Sequence, residues 1–176
     1  TVGVDAQGTF LQSGVNTRVT ANTLVVGGIG SGRYEMSAGV LATTSVDVGT
    51  AGHGVFEHSG GTHSLDDAMT VGAAGRYSLS GTGVLQMGAS TSVINLGSFE
   101  HTGGTFRGTL DNQGHFFYAN APLFDGRLIN RGSVVMDGSG AFGNGLRNEA
   151  SFDTLPTGQS LALNGDGLDN QGSLVL

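Results

Sequence analysis

Residues 54–63 read GVFEHSGGTH and residues 97–106 read GSFEHTGGTF, so ten letters recur almost unchanged 43 positions apart. Working outward from the phenylalanine in each copy, one column runs Phe10, Tyr34, Phe56, Tyr77, Phe99, Phe116, Val134, Phe152 and Leu174, at spacings of 24, 22, 21, 22, 17, 18, 18 and 22. A period near twenty marks a repeat architecture whose units bury their apolar faces only by stacking on one another.

Within each unit the pattern has the period of a strand. The segments Tyr34-Glu35-Met36, Tyr77-Ser78-Leu79 and Phe99-Glu100-His101 alternate inward and outward positions. A second strand precedes the aromatic in the first half: Leu24, Val46, Met69 and Ile94 lead Val26-Gly27, Val48-Gly49, Val71-Gly72 and Leu96-Gly97, with Val25, Asp47, Thr70 and Asn95 turned outward between them. Leu41, Leu85 and Phe106, with Leu65 and Met87, mark a third. In the second half the corner changes to LDNQG, LINRG, LRNEA and LDNQG, giving a column Asn112, Asn130, Asn148 and Asn170. Asparagine tolerates a left-handed corner and can pass amide hydrogen bonds from rung to rung.

Three short strands per unit, coiled so that each lies about 4.8 Å above its predecessor, form a parallel β-helix. The spacings are too irregular for left-handed hexapeptide coils, which makes the expected form right-handed. The expectation is one all-β solenoid over residues 1–176, single-stranded, of about nine coils and roughly 40 Å, with almost no helix. Coils of 21–24 residues run to about 98 and coils of 17–22 from about 99. The aromatics should form one internal ladder with rings roughly 5 Å apart in offset stacking.

Composition agrees with this and narrows the function. Glycine contributes 33 residues and proline 2, a bias towards tight corners and against collagen or a proline-rich linker. Net charge is −7, with seven arginines, no lysine and no basic cluster, so no grip on nucleic acid is expected. No apolar run approaches the roughly 20 residues of a membrane span. Cysteine is absent, which removes disulfides, thiolate metal sites and thiol nucleophiles together. The N-terminal TVGVDAQGTF carries neither an initiator methionine nor a basic leader, and both ends fall within the repeat. A segment of a longer chain is expected, or else a unit whose ends dock head to tail on other copies and build filaments.

The LDNQG and LINRG units, and the Val-Gly … Phe-x-x-Ser-Gly-Gly-Thr units, resemble the repeats of filamentous-haemagglutinin-type adhesins and autotransporter passengers of bacterial surfaces, over nearly the whole chain. The resemblance implies a non-enzymatic structural or adhesive β-helix, extracellular or on the bacterial cell surface. Its partners would be neighbouring coils, other copies or cell-surface glycans. The alternative is a polysaccharide-binding or polysaccharide-processing β-helix of pectin-lyase-like or tailspike-like kind, whose long loops wall a groove. Here the longest connections, near Gly88–Ser92 and Asn16–Asn22, span only a handful of residues.

The residues that could carry chemistry are few. His58 and His101 share an inward column with Gln12, Met36 and Leu79, and the Leu79 rung separates them by about 10 Å, too far for one metal ion. His63 falls in the stack of Leu41 and Leu85. His53 and His115 lie near corners, at the surface. Glu35 and Glu57 stand outward on adjacent rungs, about 5 Å apart. Arg33, Arg76 and Glu100 share their face, a charge ladder in which the two carboxylates have one environment, unlike a glycosidase pair. GGIGSG at 27–32 is spelled like a dinucleotide loop, but it joins two strands and opens no helix. NGDGLDNQG at 164–172 offers Asn164, Asp166 and Asp169 as the best oxygen ligands for calcium, though these are also ordinary turn residues. Ser59, Ser80 and Thr102 form a corner column with no His and Asp in triad arrangement. No catalytic, cofactor or metal residue is assigned.

Overall fold

The computed structural model describes residues 1–88, 91–120, 122–155 and 160–175. In chain order the coils comprise β1 (Gly8–Gln12) with β2 (Arg18–Val26), β3 (Ser31–Met36) with β4 (Val40–Val48), and β5 (His53–His58) with β6 (Thr62–Val71). Next come β7 (Gly75–Leu79) with β8 (Val84–Met87) and β9 (Ser92–Asn95), β10 (Ser98–His101) with β11 (Thr105–Asn112), and β12 (His115–Ala119) with β13 (Leu123–Asn130). The last are β14 (Ser133–Asp137) with β15 (Gly140–Phe142) and β16 (Leu146–Asn148), β17 (Ser151–Leu155) with β18 (Leu161–Leu163) and β19 (Leu168–Asn170), and β20 (Ser173–Val175). There is no helix among the described residues. Every pairing is parallel and joins one coil to the next, so the chain is an all-β parallel β-solenoid.

The first sheet has nine strands, β1-β3-β5-β7-β10-β12-β14-β17-β20, and they are the nine rungs read from the aromatic column. Phe10 pairs Tyr34, Tyr34 pairs Phe56, and the register continues through Tyr77, Phe99, Phe116, Val134 and Phe152 to Leu174. The first five rings stack at 4.9, 4.7, 4.8 and 5.1 Å. Opposite them the second sheet stacks Val19, Leu41, His63, Leu85, Phe106 and Phe124. Between the two sheets lies one continuous buried core.

Three expectations need correction. The second and third strands are separate elements only in the coils of β8/β9, β15/β16 and β18/β19; in β2, β4, β6, β11 and β13 they fuse into one bent strand. Sequence explains this: Thr43-Thr44-Ser45 contains no turn former, whereas Gly143-Asn144-Gly145 and Asn164-Gly165-Asp166-Gly167 break the chain, with Gly145, Gly165 and Gly167 at φ of 91°, 62° and 72°. The bend absorbs length variation. One residue separates Thr43 from Ser45, two separate their partners Leu65 and Ala68, and the register shifts there.

The second correction concerns the fourth rung. Met69 pairs Val93 and Val71 pairs Asn95, so Val93 and Asn95 point inward while Ile94 turns outward and Leu96 is exposed. Aligning Leu96-Gly97 with the Val-Gly corners displaced the register by one residue. The third is the backbone at the asparagine corners. The only non-glycine residue at positive φ among those described is Asn120, so Asn112, Asn130, Asn148 and Asn170 remain extended, as the last residues of their strands. Left-handed geometry instead falls on glycines such as Gly27 at φ 75°, where an added Cβ would lie 2.2 Å from the His53 carbonyl oxygen.

Candidate functional site

The outer face of the first sheet collects the charged residues of the first five rungs. Outward positions alternate with the aromatics, of which Tyr34, Phe56, Tyr77 and Phe99 are buried, while Phe10 on the end rung is 41% exposed and not internal as expected. Glu35, Glu57, Ser78 and Glu100 therefore line up directly above one another, beside a column of Arg33, Val55, Arg76 and Ser98. Arg33 is hydrogen-bonded to Glu35 on its own strand and reaches Glu57 on the next at 2.6 Å. Arg76 grips Glu100 through two hydrogen bonds, one of 2.8 Å, and stands 3.9 Å from Glu57. The ladder thus runs Glu35, Arg33, Glu57, Arg76, Glu100, with each arginine spanning two carboxylates. These contacts raise both guanidinium pKa values above the ordinary value, chiefly through the hydrogen bonds to Glu35 and Glu100 respectively. The bridge from Arg33 to Glu57 is the part that spacing alone did not reveal.

Ser59, Ser80 and Thr102, at the corner that follows each strand, rim a cleft of about 420 Å³ beside this ladder. Chemically it offers hydroxyls and ion-paired carboxylates, groups that hydrogen-bond a polar surface. Glu57 and Glu100 share Arg76 between them, Glu100 held bidentately and Glu57 at longer range.

The histidines lie where parity puts them. His58, His63 and His101 are fully buried; His53 and His115 are exposed at the starts of β5 and β12. The Gly61 carbonyl accepts from His58 Nε2 at 3.2 Å, so Nδ1 accepts from the Tyr77 hydroxyl at 2.9 Å. His63 Nε2 meets Thr43 Oγ1 at 2.9 Å and its Nδ1 has no partner. His101 is directed towards Gly104, but neither ring nitrogen makes a well-formed hydrogen bond; its ring packs against Tyr118, Phe124 and Phe106. Burial lowers the three pKa values to about 4, 3 and 3 respectively. His58, at the end of β5, and His63, at the start of β6, stand across the corner between the two sheets, with ring centroids 6.4 Å apart. No group of three or more His, Cys, Asp or Glu stands close enough to hold a metal ion among the described residues.

The acidic turn near the C-terminus is drawn apart. Asp166 faces Arg127 at 3.3 Å and Asp169 faces Arg147 at 3.7 Å, which leaves the two carboxylates serving different arginines. GGIGSG links β2 to β3 without a helix.

Two features escaped the sequence reading. Asn95 is the first member of the asparagine column: its Nδ2 donates to Asn112 Oδ1 at 2.7 Å, and the chain continues through Asn130, Asn148 and Asn170 at 2.8, 2.8 and 2.7 Å. The signal was Asn-x-Gly, present at 95–97 as at 112–114 and 130–132. The second feature is a hollow of about 310 Å³ on the bend of the second sheet, lined by Arg107 and Arg127. Their outward parity on β11 and β13 was readable, but the curvature that makes the face concave was not.

Fold and surface together define a parallel β-solenoid with ion-paired, hydroxyl-rich outer faces. Compared with protein-family models, curated proteins and solved structures, the chain finds no match in any of the three.

Proposed function

We propose that the chain is a non-enzymatic structural or adhesive β-solenoid segment of a bacterial surface or secreted protein, a stiff rod that spaces or presents other parts. The observation that carries this reading is the brevity of the corners from second to first sheet. Between Val26 and Ser31 they hold four residues, between Val71 and Gly75 three, and between Asn112 and His115 two. Corners this short offer little chain from which to grow the long loops that wall the groove of a polysaccharide-processing β-helix. The resemblance of the LDNQG and Val-Gly units to adhesin and passenger repeats supports an extracellular site of action.

Electron microscopy combined with a reducing-sugar assay on pectin, alginate and chitin tests the reading. Short rods without turnover are expected. Robust depolymerisation lost in Glu57→Gln would overturn it in favour of a polysaccharide-processing enzyme. Long unbranched fibres would instead make end-to-end assembly with other copies the function.

A further inference from the structure

We propose that the trough over the bend of the second sheet is a subsite for a carboxylate-bearing saccharide, gripped by the guanidinium groups of Arg107 and Arg127. The proposal rests on the adhesive reading above and assigns it a ligand chemistry.

The trough is built by the points at which the bent strands change character. β11 and β13 run unbroken through the bend and form its floor, two rungs wide, where Gly108 pairs Gly126. Gly108 lines the trough, while its partner Gly126 is buried beneath it, where a Cβ would lie 2.0 Å from the Gly108 carbonyl oxygen, so the two rungs pack backbone against backbone there. One wall is Met87 with Gly88 and Thr91; the other is Asn144 with Asp166, and together they come from the three coils in which the strand is broken. The open hollow of about 310 Å³ suits a small ligand. A neighbouring hollow of about 300 Å³ shares Met87, Gly88 and Arg107 and continues past Gln86 to Ser64, so the depression extends across successive rungs, the direction in which a linear polymer would lie.

Among the six arginines that face a carboxylate, the two of this trough are the loosely held ones. Arg33, Arg76, Arg131 and Arg147 each span two carboxylates, and each has a contact of 2.6 Å or less. Arg107 and Arg127 each face a single carboxylate at longer range, Asp125 at 3.6 Å and Asp166 at 3.3 Å, with those carboxylates 55% and 72% exposed. Ion pairs this exposed contribute little and are exchanged at small cost. Arg107 lies beside Asp125, and Arg127 lies beside Thr109, so the two guanidiniums sit diagonally on adjacent rungs. Their planar forks match a carboxylate in bidentate fashion, better than a hydroxyl alone. The Thr109 hydroxyl and the Asn144 amide around them are partners for sugar hydroxyls, which favours an acidic sugar over a bare anion.

Isothermal titration of the full chain with oligogalacturonate, its methyl ester and a neutral galactan oligomer tests this. The free acid should bind, weakening as salt rises. The double variant Arg107→Gln/Arg127→Gln should lose at least about tenfold in affinity with an unchanged melting temperature, since a hydrogen bond to a charged group is worth that much. Arg131→Gln, outside the trough and tied to two carboxylates, should bind as the parent does. Equal binding of acid and ester, indifference to the double substitution, or no binding by any of the three oligomers would overturn the site. None of these results depends on the chain's shape in the microscope or its lack of turnover, so the rod reading stands or falls separately.

Discussion

One column of the solenoid is written in two ways. Val26, Val48 and Val71 stack directly above one another, and the same column continues as Asn95, Asn112, Asn130, Asn148 and Asn170. Where the column is valine, three or four residues are needed to reach the next first-sheet strand; where it is asparagine, two suffice at every corner. The hydrogen bonds account for the difference. Each asparagine from 95 to 148 donates once to the next Oδ1, and once to the carbonyl three residues beyond that neighbour: His115, Ser133, Ser151 and Ser173 at 2.8–3.0 Å. The side chain thereby satisfies backbone that a tight corner would otherwise strand. A valine cannot do so, and the longer corners rest only on the backbone pairing across coils that both kinds of corner make, as when Gly28 donates to Gly3 and Gly114 to Asn95. A polar ladder in the core shortens the coil; an apolar one requires glycine-rich length.

The halves differ equally in their rings. The first five aromatics stack nearly face to face, at interplanar angles of 12–33°, whereas Phe99 and Phe116 meet at 5.9 Å and 63° as the coils shorten. All three buried histidines belong to coils that carry the stacked rings. Burial keeps each folded-state pKa below the ordinary value, so the unfolded chain takes up protons that the folded chain refuses. The stability this represents is fully present above about pH 6.5 and is lost as pH falls towards the folded values. Between about pH 7 and pH 5 the loss is roughly 2 kcal/mol per histidine, about 6 in all, the largest effect expected here. Hydrogen exchange should show the first half opening before the second on acidification. Uniform loss of protection, or a urea midpoint flat over that interval, would contradict the difference. His101→Phe should remove one third of the pH dependence, because its ring makes aromatic contacts and no well-formed hydrogen bond.

Phe56→Ala should cost about 3 to 5 kcal/mol, since Phe56 is fully buried with Tyr34 on one side and Tyr77 on the other. A loss below about 1 kcal/mol in a denaturant melt would show that the ladder closes over the gap.

In the second half, Asn130→Val tests whether the asparagines are structural or only tolerated. It strands Asn112 Nδ2, Asn148 Oδ1 and the Ser151 carbonyl in the interior while adding apolar burial. Three losses of about 1 to 3 kcal/mol each, less the burial gained, leave a net cost of roughly 3 kcal/mol. A neutral result would make the column filler.

Much of this was legible because a solenoid converts sequence period into spatial register with little intervention. Nine rungs, the aromatic column from Phe10 to Leu174 and the inward parity of His58, His63 and His101 all followed from period-two alternation. What failed depended on context beyond alternation. The Leu96-Gly97 pair imitated the Val-Gly corners, and only the Asn-x-Gly spacing at Asn95 gave the competing register. The fusion of two predicted strands in β4 reflects the absence of a turn former in a stretch whose residues are individually indifferent. Concavity at Arg107 and Arg127 arises from that bend, which no residue encodes alone.

The junction between the two ladders supplies the finest test. Asn95 Oδ1 is buried without a partner, because the residue below it, Val71, has nothing to donate. Val71→Asn would place an amide there. By the geometry of the rungs above, its Nδ2 would reach Asn95 Oδ1 and the Ser98 carbonyl, three residues beyond, and the unpaired acceptor would move from position 95 to position 71 without a second one appearing. The substitution exchanges a buried isopropyl group for two hydrogen bonds, and the net change should stay within about 1 kcal/mol. The same change one rung lower, Val48→Asn, meets Val71, finds no amide acceptor and should cost roughly 2 to 4 kcal/mol. Paired urea melts of the two variants read the difference directly. If Val48→Asn is tolerated as well as Val71→Asn, the ladder is not a directional chain of donors, and the short corners must owe their form to the backbone alone.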